Sequence, residues 1–190
     1  VYKGSAGVEV EKAIEKAIQW YTAAAEKGHA DSQIDLAITY LRGEYVPVDY
    51  EKAFALLSSA AEQGNADALY YLGLIHEDEE SGRMDIKKAL EYYTAAAEQG
   101  ETRAIMNIGL LYESGYLGKP DFAKALEYYT TAAEYGDAKA QLLLGIIYIP
   151  MMFLFLILTW LMKNGHMLIW FIFFGVWMTD VFAYLVGKTF

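Results

Sequence analysis

The chain contains no cysteine and only three prolines among its 190 residues. Without cysteine there is no disulfide framework and no thiolate metal site. Histidine is nearly as scarce, with three copies, His29, His76 and His166. They share no spacing, and none has a set of Asp or Glu partners suited to a metal. Positive charge is also short: 15 Lys and Arg stand against 25 Asp and Glu, for a net charge of −10. That balance excludes nucleic-acid binding through a basic surface. The opening Val1-Tyr2-Lys3-Gly4 has neither an initiator Met nor an apolar run, as expected of an excerpt from a longer protein. No Ser-His-Asp arrangement, phosphate loop or paired-carboxylate pattern appears in residues 1–148.

What is present falls into two unlike parts. Residues 149–190 carry only Lys163, Asp180 and Lys188 as charges, a net of +1, which leaves −11 for residues 1–148. The acidic part is periodic. The phrase AAEKG returns as AAEQG, AAEQG and AAEYG, with glycines at Gly28, Gly64, Gly100 and Gly136, each 36 residues from the last. Lys16, Lys52, Lys88 and Lys124, each followed by Ala, keep the same period. So do the phrases LAITY, LGLIH, IGLLY and LGIIY that start at Leu36, Leu72, Ile108 and Leu144. An unbroken period of this length is the mark of a repeat architecture.

Each unit reads as two helices. Helix A, typified by Ala66–Asp78, has apolar residues at helical spacing, with small residues (Ala37, Gly73, Gly109, Gly145) where a neighbour must come close. A turn rich in Gly, Pro and Asp follows. Asp49, Asp85 and Asp121 then stand where an N-cap is wanted, because a carboxylate accepts the orphan N–H groups of the next helix. Helix B ends before Gly28, Gly64, Gly100 and Gly136, the expected left-handed C′ positions.

The pattern A-x-x-x-L-G-x-x-Y, a Gly-containing turn, then D-x-x-K-A and A-A-E-x-G, resembles the Sel-one-like repeat, a relative of the tetratricopeptide repeat. The resemblance covers roughly residues 1–148. It departs at Ser32, Ala37, His76 and Glu79, which replace Ala, Gly, Tyr and Gly. It implies a right-handed helical solenoid whose role is to bind a protein or peptide partner along the groove lined by helix A. The groove candidates are Asp35, Thr39, Tyr71, Asn107 and Leu111; the alternative is that they are solvated surface. The tyrosine pairs Tyr92, Tyr93, Tyr128 and Tyr129 read as packing. Residues 1–18 read as the second half of a further repeat, so that Val1 is expected to be a cut in a longer chain.

The remaining part is oily. Leu142 to Met162 is 21 residues without a charge, and Met167 to Gly187 is 21 more with Asp180 alone. Either run crosses a hydrocarbon core of ~30 Å at ~1.5 Å per residue. Lys163–His166 makes a polar turn between them, so the expectation is a transmembrane helical hairpin over 149–190, with Tyr148, Trp160, Trp170 and Trp177 at interfacial or packing positions. An ionisable group inside such a span costs on the order of 3 kcal/mol and serves a site or meets a partner. Asp180 shares a helical face with Trp177, Tyr184 and Gly187.

That stripe, with Ala183, Lys188 and Phe190, resembles phosphatidate cytidylyltransferase, the CDP-diacylglycerol synthase family, over residues 146–190. The resemblance implies a membrane enzyme that joins CTP to phosphatidate and releases pyrophosphate with magnesium. It makes Asp180, Tyr184 and Lys188 the candidate polar site, with Asp180 the one candidate metal ligand. The family's further signature has no counterpart before Phe190, so this stretch itself is expected to be inactive. The sequence thus describes an all-α protein, a helical-repeat solenoid over 1–148 followed by the hairpin, with the repeats cytosolic and membrane lipid as a partner. The alternative is a membrane-tethered adaptor with no chemistry of its own. Leu142–Tyr148 is shared by both parts. It is either one continuous helix from about Ala138 to Met162, kinked at Pro150, or the join of two unrelated coding sequences.

Overall fold

The computed structural model describes residues 5–161, with side chains at residue 10 and over 12–155. Eight α-helices stand among these residues: α1 (Ser5–Glu26), α2 (Ala30–Arg42), α3 (Tyr50–Glu62), α4 (Ala66–Glu77), α5 (Ile86–Glu98), α6 (Thr102–Ser114), α7 (Phe122–Glu134) and α8 (Ala138–Leu161). A single 3-10 turn, Glu79–Ser81, follows α4. The chain divides into two compact units, Val1–Gln141 and Leu142–Phe190.

In the first unit each helix packs on the helix before it and the helix after it. The pairs α2 with α3, α4 with α5 and α6 with α7 form the repeats, and α1 with α2, α3 with α4 and α5 with α6 join them. Alanine makes this close packing feasible, since it adds contact without holding helices apart. The Lys-Ala phrase supplies Ala53, Ala89 and Ala125, and the AAEx phrase supplies Ala60, Ala96 and Ala132; all are buried. Leu57, Leu72 and Ile75 fill the space between the first two pairs, and Tyr93, Ile108 and Leu111 do so one repeat on.

The helix boundaries fall where the sequence puts them. Asp49, Asp85 and Asp121 accept from the backbone N–H groups of Lys52, Lys88 and Lys124. The N–H of each of these aspartates donates to the carbonyl of Tyr40, His76 or Tyr112, closing the turn onto helix A. At the other end of helix B, the Gly64 and Asn65 N–H groups donate to Ala61 and Ala60, a pattern repeated after α1, α5 and α7. The glycine takes φ of +82° to +92° in these four places, a backbone setting that other residues reach only with strain.

α8 is one helix of 24 residues with Pro150 inside it. Its first turn repeats a contact seen at the start of the array. Gln33 Nε2 donates to the Ala25 carbonyl, and Gln141 Nε2 donates to Ala133, both at 3.2 Å. α8 therefore begins as a further helix A. The register of α2, α4 and α6 would end such a helix at about Pro150, the residue that offers no N–H to the Ile146 carbonyl. The helix instead continues, and Ala138–Phe155 is long and apolar enough to cross a membrane, with almost none of it buried. The second apolar run, Met167–Gly187, lies outside the described residues, as does the hairpin expected from it.

Candidate functional site

Helices α4 and α6 expose a polar and aromatic patch. Arg103, in the first turn of α6, donates from Nε and an Nη to the two oxygens of Glu101 at 2.8 and 2.7 Å. The same guanidinium pairs with Asp67, the residue 36 positions earlier at the start of α4. It lies 4.4 Å from the centre of the Tyr70 ring and 5.7 Å from that of Tyr71, positions where a cation meets the negative face of the ring. Tyr70 and Tyr71 meet edge to face. Asn107 stands beside Tyr70 and Tyr93 and offsets in part the upward push of burial on their hydroxyls. The Arg103 hydrogen bonds hold the Glu101 carboxyl below its usual range. Asp67 moves the other way, raised by burial and by the neighbouring Glu101.

The groove residues proposed from sequence separate here. Tyr71 and Asn107 belong to this patch. Asp35 is exposed one repeat earlier, and Thr39, on the next turn of α2, hydrogen-bonds back to the Asp35 carbonyl at 2.8 Å. Leu111 is 1% exposed and lies in the core with Ala104 and Ile108, so it offers nothing to a partner. Arg103, the centre of the patch, was not among the residues singled out from sequence. Its pairing with Asp67 was legible as opposite charges one period apart.

The other aromatic side chains serve packing. His76 stacks on Tyr92 with ring centres 5.4 Å apart, and its Nδ1 donates to the Arg83 carbonyl at 2.8 Å. Tyr112 stacks on Tyr128 in the next repeat. Lys52 and Lys124, the lysines of the repeated phrase, sit over the rings of Tyr40 and Tyr112. Among the described residues no group of three or more His, Asp or Glu stands ready for a metal ion. Asp180, Tyr184 and Lys188, the polar residues that the synthase resemblance singles out, lie outside the described residues.

An array of helix pairs, each packed on the next, defines an all-α helical-repeat protein. The model of the Sel1 repeat matches residues 2–29, 30–65 and 66–101, and the chain belongs to the Sel1 repeat family. The Cytidylyltransferase family model matches residues 101–190. That match starts at α6, although α6 and α7 keep the repeat's geometry: the Asp121 cap, the Gly136 turn and the stacked Tyr112 and Tyr128.

Solved structures agree with the fold. A protective antigen of uropathogenic Escherichia coli strains displaying an SLR fold is 40% identical over 70% of this chain and 29% of its own, with a TM-score of 0.62. A Sel1 repeat protein from Oxalobacter formigenes is 34% identical over 70% of this chain and 54% of its own, with a TM-score of 0.63. One from Klebsiella pneumoniae is 29% identical over 65% and 61%, with a TM-score of 0.55. The chain spans less than two thirds of the length of each. No curated protein matches it.

Proposed function

We propose that the chain is a protein-binding scaffold held at a bilayer by a cytidylyltransferase-type membrane segment. Residues 1–148 form the binding part and residues 149–190 the membrane part, as a helical hairpin, with the repeats on the cytosolic side. One observation carries this reading. α8 starts as a repeat helix on α7 and runs without a break into residues 151–161, where no charge occurs. The partner is a peptide or protein segment bearing positive charge, because Asp35, Asp67 and Glu101 outnumber Arg103 on the A-helix face.

Extraction tests the anchor. After expression and vesicle preparation, the chain is expected to stay with the membrane fraction in alkaline carbonate, and the repeats to be open to protease added on the cytosolic side. Release by carbonate would overturn the anchor. Shielded repeats with an accessible Lys163 would reverse the topology.

A reading as part of a phosphatidate cytidylyltransferase is favoured by the family match over residues 101–190. In that chemistry a divalent cation offsets charge on the phosphate undergoing transfer. Vesicles holding the chain, phosphatidate, magnesium and labelled CTP separate the two. Label in lipid supports the enzyme reading; unlabelled lipid, with the chain still anchored, supports the adaptor.

A further inference from the structure

In two repeats a ring of helix A is stacked on a ring of helix B. His76 on α4 faces Tyr92 on α5, with ring centres 5.4 Å apart and planes 14° apart. Tyr112 on α6 faces Tyr128 on α7 at 5.7 Å and 10°. The same register places Tyr40 of α2 opposite Leu56 of α3. Leu56 packs on the core but brings no ring. Tyr40 keeps Lys52 over its face, as Tyr112 keeps Lys124, and lacks the stacked partner. Among the described residues no aromatic side chain meets it.

A cleft of about 330 Å³ opens at this place. Tyr40 and Leu36 of α2 line it, with Leu56 of α3 on one side and Thr22 and Ala25 of α1 on the other. Ala55 widens it, standing where the later repeats have Glu91 and Glu127. Ligand sites begin at ~300 Å³, so the cleft suits one ring and little more. The later repeats fill the equivalent space from within. Tyr92 packs against the buried cluster that holds Leu72, and Tyr128 against the one that holds Ile108, the two counterparts of Leu36. Charge at the rim is unbalanced. Lys52 is held by Asp49 at 3.0 Å, while Glu26, also at the cleft, is exposed and has no ion pair among the described residues.

We propose that this cleft binds an aromatic side chain of a partner peptide, a tyrosine with a basic residue beside it. The guest ring stacks on Tyr40 as Tyr92 stacks on His76, and the neighbouring cation meets Glu26. Offset-stacked rings with centres several ångströms apart attract each other beyond the gain from burial alone. The site goes beyond the A-helix patch. Asp35, Asp67, Tyr71 and Arg103 do not line it, so it holds or fails whatever that patch binds.

Peptide binding to the full chain in detergent micelles tests it, with the leucine and threonine methyls labelled for NMR. The probes are acetyl-Lys-Tyr-amide and, for comparison, acetyl-Lys-Leu-amide. Magnetisation is expected to pass between the tyrosine ring protons and the Leu56 and Thr22 methyls. The tyrosine peptide should bind roughly threefold to tenfold more tightly than the leucine peptide, the worth of one stacked pair. Leu56→Tyr supplies the absent ring from the chain itself, as the later repeats do. It is expected to keep its helicity by circular dichroism and to lose the peptide's signal at Thr22. Equal affinity of the two peptides, no transfer to Leu56 and Thr22, or undiminished binding by a folded Leu56→Tyr chain would overturn the proposal. Transfer and relative affinity are read in the parent chain, so the test stands even where the variant does not fold.

Discussion

Tyr93 donates its hydroxyl proton to Glu77 at 2.6 Å while its ring lies over Gly73, so one side chain on α5 makes two contacts with α4. Tyr129 does the same with Glu113 and Gly109 in the next repeat. In the repeat formed by α2 and α3 all three positions change together: Leu57 replaces the tyrosine, Leu41 the glutamate and Ala37 the glycine. A shorter side chain leaves room for the Ala37 methyl, and with no hydroxyl present no acceptor is needed.

Gly73→Ala should therefore destabilise the array by about 1–3 kcal/mol, the range for forcing an extra carbon into a filled core. Adding Tyr93→Leu and Glu77→Leu should recover most of that loss, because it copies the Ala37, Leu57 and Leu41 solution. Urea unfolding of the three-fold variant beside Gly73→Ala checks it. Equal instability of the two would show that the glycine serves something other than the tyrosine.

Asp121→Ala removes the acceptor for the Lys124 N–H at the start of α7. The expected cost is about 1 kcal/mol, as for other N-caps. Asp121→Asn should lose much less, since its side-chain oxygen reaches the same N–H. Thermal melts followed at the helix band compare the two.

Tyr50 donates to Asp78 at 2.7 Å, and this bond to a carboxylate pushes its ionisation up to about 12. The folded state thus holds this proton more tightly than the unfolded chain, whose tyrosines titrate near 10. The stability from this link is complete below pH 10 and falls away as the pH rises toward 12. Tyrosinate absorbance should show one late-titrating tyrosine fewer in Asp78→Asn than in the parent chain.

Arg103→Ala leaves Asp67 and Glu101 without the cation between them. Glu101 should lose its low ionisation and Asp67 should rise further, since burial and the facing carboxylate already push it up. Carboxyl carbon shifts in an acid titration read both. Arg103→Lys should restore Glu101 only in part, because an ammonium cannot bind both of its oxygens in the planar fork of a guanidinium.

The elements with strict local rules were readable from the residues. The glycine after each helix B, the aspartate before it and the buried alanines all follow from nearest-neighbour backbone chemistry, and the 36-residue period repeats them. Side-chain partners one helix away were harder. Leu111 looked like a groove position because Thr39 fills the same column in the first repeat. In the later repeats that column turns inward, where Ile75 and Leu111 are each 1% exposed. The Tyr93 link to Glu77 spans 16 residues and two helices, and no local spacing rule announces it. The continuous helix from Ala138 was one of two readings left open by the residues, because two unlike patterns, one periodic and one wholly apolar, overlap there.

Pro150 stands in α8 at the register where every earlier helix A stops. Helical order spreads along a rod one hydrogen bond at a time, and here a rung is missing. Fraying that starts among Met151–Leu161 therefore has one bond fewer to break at the Ile146 carbonyl than at any other turn of α8.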